Sequence, residues 1–269
     1  RDLAEARLSM AAGSPVLALD AGNTRIKWGL NVGGRWVATG ATPVKEAHKL
    51  GRDWPSLPAG TSALGSNVAG VPVELAHCDV ELSLIVSKAE ELGVRSDYRD
   101  PGQLGTDRWA ALVAAHRAAA GHQLVVNVGT ALTVDALRHD GRFLGGLIVP
   151  GPALMRSSLN GGTAGLKLTE GQFDPFPRST PDAITTGAVL AAIGAIERMA
   201  VAMASAGAAP DRVVLSGGGA HCYWLFHECW AFADAGEHRQ AARMNRALQW
   251  LLIEAGQQRR LHDEAHDIQ

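Results

Sequence analysis

A strand that breaks at a small polar turn and resumes as a second strand occurs twice in this chain. In the first copy the apolar run Val16–Leu19 stops at Asp20-Ala21-Gly22-Asn23-Thr24, and an alternating stretch continues from Arg25 to Val32. Gly33-Gly34 then predicts a tight hairpin into a third strand, Arg35–Ala41. In the second copy Gln123–Val128 breaks at Gly129-Thr130 and resumes as Leu132–Leu137. It turns at His139-Asp140-Gly141 and ends as Phe143–Val149. The two copies, beginning at Val16 and Gln123, lie about 107 residues apart, and helical sequence follows each copy. Such an internal duplication predicts two similar α/β domains, residues 14–121 and 122–269, with residues 1–13 as an extension.

The sequence between the repeats predicts the remaining elements. Thr106–Ala120 reads as a helix with Trp109, Leu112, Val113 and His116 on one face, closed by Gly121. Lys88–Leu92 reads as a helix end closed by Gly93. Ala183–Ala206 reads as a long helix, preceded by a Pro/Phe-rich loop at Gly171–Pro181. Val213–Leu215 reads as a short strand ending in Ser216-Gly217-Gly218-Gly219, and Glu237–Ala255 as the last helix. Trp28 and Trp36 are expected in the core.

Apolar residues make up 46% of the 269 residues and charged residues 19%, the balance of a folded chain. A formal net charge of −2 with no basic run argues against sequence-independent nucleic-acid binding, which needs many Lys/Arg–phosphate contacts. The longest uncharged window, around Ala183–Ile196, is short for a bilayer span. Three cysteines, Cys78, Cys222 and Cys229, favour a reducing compartment over a disulfide framework. A cytoplasmic protein without a membrane partner is therefore expected. The His221-Cys222 and His227-Glu228-Cys229 groups match no usual zinc spacing and are expected on a buried helix.

The turn chemistry points to phosphate. A polyphosphate needs close backbone N–H groups, hydroxyls and a magnesium ion held by one or two carboxylates. Asp20 offers the carboxylate, Gly22 a backbone without a side chain, Thr24 a hydroxyl, and Lys27 a cation nearby. Walker and Rossmann loops run from strand into helix, whereas this turn runs into a strand, which excludes both. A plain hairpin turn accounts for the same residues taken alone. Gly129-Thr130 and the triple glycine after Ser216 add two more such strand ends, the glycines also serving as an ordinary loop. Together the three turns favour a nucleotide held in a cleft.

The segments "DAGNTRIKWGL", "YRDPGQLGTDRWAALVAA", "VVNVGTALTVD", "GRFLGGLIVPGPALM", "STPDAITTG" and "VVLSGGGA" follow one another as in type III pantothenate kinases. The resemblance covers roughly residues 15–220 and rests on the combination of motifs. It implies the actin/Hsp70/sugar-kinase fold, two duplicated ribonuclease H-like domains with the active site between them, and a homodimer. It implies ATP-dependent phosphorylation of pantothenate, the first step towards coenzyme A, with magnesium or another divalent cation.

By that resemblance, Asp20, Ala21, Gly22, Asn23, Thr24, Arg25, Ile26 and Lys27 form the ATP loop, with Asp20 at the magnesium ion, and Thr130 touches ATP. Gly105-Thr106-Asp107-Arg108 matches a Gly-Ala-Asp-Arg motif that binds pantothenate and carries the catalytic aspartate, here Asp107. Tyr98 and Thr180 match substrate-contacting positions. Read from the residues alone, Asp107 is a helix-capping or first-turn acid, and the positive end of a helix favours its anionic form; the accompanying motifs favour the base. Arg108 suits the planar pantothenate carboxylate. Two positions depart from the family. Thr106 replaces alanine, an exchange expected to be harmless. Asn127 stands where an aspartate commonly helps bind potassium or ammonium, which weakens the expected need for a monovalent cation. Rival readings are another small-molecule kinase or phosphohydrolase of this fold, or a non-catalytic regulator that keeps the nucleotide cleft.

Overall fold

The opening apolar run becomes β1 (Val16–Ala21), the middle strand of a five-stranded sheet of order β3-β2-β1-β4-β5 in the computed structural model, which describes residues 14–52, 54–70, 80, 82–162 and 170–218. β2 (Arg25–Val32) runs antiparallel to β1, and β3 (Arg35–Pro43) antiparallel to β2. β4 (Ser62–Asn67) lies parallel to β1 on its other side, and β5 (Leu82–Leu84) parallel to β4. This order and direction are those of the ribonuclease H-like half expected from the motifs. Leu17, Leu19 and Ala21 alternate inward to meet Ile26, Leu50 and Ala63, with Trp28 and Trp54 packed against them. Gly33 and Gly34 have φ of 58° and 83°, the left-handed pair that a two-residue hairpin turn needs.

Trp36 departs from expectation. It is 57% exposed, lying on β3 over Gly29, where a Cβ would meet its ring at 2.9 Å. Strand β3 is an edge strand, and Val37 beside Trp36 is 58% exposed as well, so this end of the strand lies outside the core.

Lys88–Leu92 also departs. It is not a helix end but part of a hairpin between β6 (Glu90–Glu91) and β7 (Val94–Ser96), turned at Leu92 (φ 51°) and Gly93 (φ 85°). Tertiary bonding decides the matter. The carboxylate of Glu91 is buried and accepts from Trp109 Nε1 and Lys88 Nζ, both at 3.2 Å. Strand β7 is held by a partner remote in sequence, Arg142 and Phe143.

Helix α1 (Thr106–Ala118) packs on β4 and β7, with Trp109, Leu112, Val113 and Ala115 buried. These elements, with Asp140–Phe143, form one compact unit; Ala119–His139 and the described residues from Leu144 onward form the other.

The second unit repeats the pattern of the first. β8 (Gln123–Val128) pairs antiparallel with β9 (Ala131–Leu137) and parallel with β11 (Arg212–Ser216), and β10 (Arg142–Pro150) lies beyond β9. Helix α2 (Pro152–Gly162) and the 26-residue α3 (Thr180–Ser205) follow. Ala192, Ile196, Ala200 and Met203 on α3 meet Leu124, Val126, Val128, Leu132, Val134 and Ala136 of the sheet. Helix α3 is long and apolar enough, by length and composition, to cross a membrane, so the uncharged window understated it; this apolar stripe lies on the sheet. The glycine after Gly218, the three cysteines, the His221–Cys229 groups and the last helix lie outside the described residues.

Candidate active site

Three adjacent strands of the first unit place three polar side chains side by side. Lys27 on β2 is the register partner of Asp20 on β1, and Asp20 is the partner of Ser66 on β4. All three share the sheet face opposite Leu19, Ala21 and Ile26, because successive side chains alternate. Lys27 Nζ lies 3.3 Å from Asp20 Oδ2, with side-chain exposures of 51% and 42%. An ion pair this exposed contributes about 0–1 kcal/mol and is readily exchanged for a stronger partner. The turn is closed by Gly22 N–H donating to the Arg25 carbonyl at 3.2 Å, and Asn23 and Thr24 stand exposed at its tip. Ala21 and Ile26 are fully buried, so within the Asp20–Lys27 loop their side chains serve the core.

The Gly105-Thr106-Asp107-Arg108 turn opens α1 next to this row. Ser66 Oγ and Thr106 Oγ1 share a hydrogen bond of 3.0 Å. Trp109 N–H donates to the Gly105 carbonyl at 3.0 Å, which makes Gly105 the residue at the helix entry. Asp107 Oδ1 accepts from the backbone N–H of Arg108 at 2.8 Å. A Cβ on Gly105 would lie 2.6 Å from that oxygen, so only glycine leaves the carboxylate where it is.

Arg108 is 5% exposed, and its Nη1 donates to Tyr98 Oη at 3.1 Å. Its guanidinium carbon lies 5.8 Å from the centre of the Tyr98 ring and 5.9 Å from that of Phe143. The two rings sit 5.3 Å apart. A buried guanidinium over aromatic faces is held rigidly and keeps its charge. Asp97, beside Tyr98, accepts from Arg142 Nε at 3.0 and 2.7 Å, and Asp97 N–H donates to the Phe143 carbonyl at 3.0 Å. Tyr98 is thus fixed on one side by Arg108 and on the other by the start of β10.

Thr130 and Asn127 belong to the second unit. Thr130 is exposed at the β8–β9 turn, and its carbonyl accepts from Gly151 N–H at 2.8 Å. Asn127 Oδ1 accepts from Ser216 Oγ at 3.4 Å. Gly217 follows with φ 103°, and a Cβ there would meet Asn127 Oδ1 at 2.6 Å.

Thr180 opens α3 and lines an open groove of about 670 Å³ with Met155, Leu159, Pro177, Arg178 and Ile184. The helix starts earlier than the sequence predicts, because Ser179 caps it and Pro181 fits the first turn. Ser179 Oγ accepts from Asp182 N–H and donates to its carboxylate, while Gln172 N–H donates to Asp182 Oδ1 at 2.8 Å. Thr186 Oγ1 both donates to the Asp174 carbonyl and accepts from Asp174 N–H, each at 3.1 Å. The 171–179 loop is therefore pinned to α3.

The Ser179 hydroxyl first, and then Gln172 N–H, hold the Asp182 carboxyl below its ordinary 3.8. A lowered carboxylate adds stability that is present above the ordinary value and lost as pH falls through the lowered one. Amide exchange at Gln172, corrected for intrinsic rate, should therefore rise as pH drops below about 4, and Asp182→Asn should abolish that dependence. An identical pH profile in both proteins would refute this anchoring role.

A profile of the type III pantothenate kinase family matches residues 16–202. The chain belongs to the type III pantothenate kinase family. It is 44% identical over 211 residues to a protein of that name from Nitrosospira multiformis, covering 76% of this chain and 80% of the relative. For the one from Azoarcus sp. the identity is 46% over 192 residues, covering 68% and 73%. For that of Aromatoleum aromaticum it is 45% over 214 residues, covering 76% and 86%.

Of the residues that the family motifs point to, the structure gathers Asp20, Lys27, Thr106, Asp107, Arg108 and Tyr98 within the first unit. Sequence reasoning missed Ser66 and Phe143. Ser66 sits in a strand with no apolar alternation, and Phe143 reads as an ordinary strand aromatic.

Proposed function

We propose that this chain transfers the γ-phosphoryl group of ATP to the primary hydroxyl of pantothenate, giving 4'-phosphopantothenate at the start of coenzyme A synthesis. The observation that carries the reading is the Ser66–Thr106 hydrogen bond of 3.0 Å, which ties the Lys27–Asp20–Ser66 row to the turn holding Asp107.

In this reading the Asp20–Lys27 turn and Thr130 bind ATP, and Lys27 leaves Asp20 for a phosphate oxygen. Asp107 is the general base. Its Oδ1 is held by Arg108 N–H, and Oδ2 takes the proton of the pantothenate hydroxyl as that oxygen attacks phosphorus. Gly105 and Thr106 through their backbone, with Arg108, Tyr98 and Thr180, bind pantothenate, the Arg108 guanidinium pairing to its carboxylate. One half-exposed carboxylate beside hydroxyls fits magnesium, which keeps several waters and takes one or two carboxylates plus phosphate oxygens. Asp20 would hold the ion, which neutralises charge on the phosphates. The setting is the cytoplasm, without nucleic-acid or membrane partners.

The test is an ATP-dependent phosphorylation assay across small alcohols that include pantothenate. Transfer to another alcohol alone would make the chain a different kinase. Phosphate release without transfer would make it a phosphohydrolase, and ATP binding without turnover a regulator.

The chain is expected to work as a homodimer, with the partner subunit completing the pantothenate site near Tyr98 and Thr180. The exposed apolar side chains Phe176, Leu154, Leu159 and Leu190 support this. Sedimentation showing a fully active monomer would exclude it.

Activation by potassium or ammonium should be shallower than in relatives with aspartate at position 127. Asn127 brings no negative charge, and opposite unit charges at contact attract by about 4 kcal/mol at an effective dielectric near 20. Its amide oxygen is already engaged by Ser216. Activity is to be titrated with potassium against a bulky inert cation, in wild type and Asn127→Asp. Steep activation that the substitution leaves unchanged would show that position 127 does not set the requirement.

A further inference from the structure

We infer that Ser66 and Thr106 are positioning residues for phosphoryl transfer, a hydroxyl bridge that fixes the base Asp107 relative to the phosphate-side carboxylate Asp20. The inference rests on the proposed kinase reading and adds to it a residue that no motif marks.

Gly105 occupies the position where a serine, threonine or aspartate side chain normally caps a helix. A Cβ there would lie 2.6 Å from Asp107 Oδ1, so glycine leaves that carboxylate undisturbed. The first turn of α1 therefore has no capping side chain at Gly105 to tether it. Thr106 supplies a tether from the next position. Its β-branched side chain has few rotamers, and the one adopted turns Oγ1 towards Ser66. That oxygen lies 3.0 Å from Ser66 Oγ across 40 residues of sequence.

The other end of the bridge is equally fixed. Ser66 is 5% exposed and lies in the β1–β4 ladder directly beside Asp20. Its neighbour Gly65 is enclosed, since a Cβ there would meet Leu82 Cδ1 at 3.2 Å and Leu19 Cβ at 3.3 Å. Strand β4 cannot shift without moving β1. The bridge thus joins a rigid strand pair that carries Asp20 to the residue adjacent to Asp107. Thr106, expected to be a harmless exchange, has a specific partner.

The test uses Thr106→Val, which keeps shape and branching and removes the hydroxyl, together with Ser66→Ala, Thr106→Ser and the double variant. Thr106→Val and Ser66→Ala should each lower kcat about 5–20-fold, with KM for ATP and for the alcohol within about twofold, because only the aim of the base is lost. The pH profile should keep its shape at a lower plateau. Thr106→Ser should recover at least half of the wild-type kcat. The double variant should be no slower than the slower single one, since both delete one bond. Multiplying effects, no recovery by serine, or an unchanged kcat in Thr106→Val would overturn the inference.

If Ser66→Ala does not fold, the Thr106→Val and Thr106→Ser pair decides. If the wild type phosphorylates a different alcohol, the same ratios are read on that alcohol, and only the pantothenate assignment fails. If it transfers to none, amide exchange at Asp107, Arg108 and Trp109 is the readout. Thr106→Val should speed it at least fivefold, and equal rates would overturn the bridge.

Discussion

Asp107→Asn is expected to lower turnover about 10²–10⁴-fold while ATP binding stays nearly intact, the usual effect of removing a general base. The substitution is close to isosteric. An asparagine Oδ1 still accepts from Arg108 N–H, the bond of 2.8 Å that orients the side chain. The Gly105 entry and the Ser66–Thr106 bridge are untouched. What disappears is the lone pair that receives the hydroxyl proton. Single-turnover kinetics with saturating ATP and pantothenate would measure the step, and a nucleotide titration would check binding. Wild-type turnover in the variant would reduce Asp107 to a first-turn helix acid.

Gly105→Ala should cost about 10–100-fold in turnover with the charge still present, because misplacing a reacting group by about 1 Å has effects of that size. The added Cβ would lie 2.6 Å from Asp107 Oδ1. A helix entry held by Thr106 and Trp109 does not yield easily, so the carboxylate is the part that moves. Turning away, it gives up Arg108 N–H. The melting temperature should change by only a few degrees, since one exposed-side contact is rearranged and the buried face of α1 is not. Full activity in Gly105→Ala would mean that the Asp107 rotamer does not matter. Loss of both activity and nucleotide binding would instead place the damage in the fold.

Apolar runs broken by polar turns made much of the fold legible. Strands β1, β8 and β9 are runs of apolar residues and β2 resumes as an alternating one, set against turns of glycine, asparagine and threonine, and Gly33 and Gly34 take the left-handed conformation their pairing predicts. Strand β4 left no such trace. Its sequence SALGSN lies between β1 and β5, where Gly65 is crowded by Leu19 and Leu82. Small residues are what that space admits, and small residues carry no period. The cost was Ser66, whose meaning depends on a contact 40 residues away.

The Lys88–Leu92 segment failed for another reason. Lysine and two glutamates before a glycine suit a helix end and a charged hairpin alike, and the buried bond from Trp109 to Glu91 selects the hairpin. Asp107 and Arg108 were readable because their roles sit in four consecutive residues. That Arg108 is enclosed by Tyr98 and Phe143 was not, since Phe143 arrives from a strand 35 positions further on.

The register of the first hairpin sets two selection regimes side by side. Asp20 pairs with Lys27, and the next pair, Ala21 with Ile26, is sealed in the core. A saturation library over positions 20–27, sorted once for soluble expression and once for turnover, should yield two interleaved maps. Positions 21 and 26 would dominate the first, positions 20 and 27 the second. An ancestral chain with this hairpin could therefore retune its phosphate chemistry by single substitutions on one face, with the other face left to vary on its own schedule.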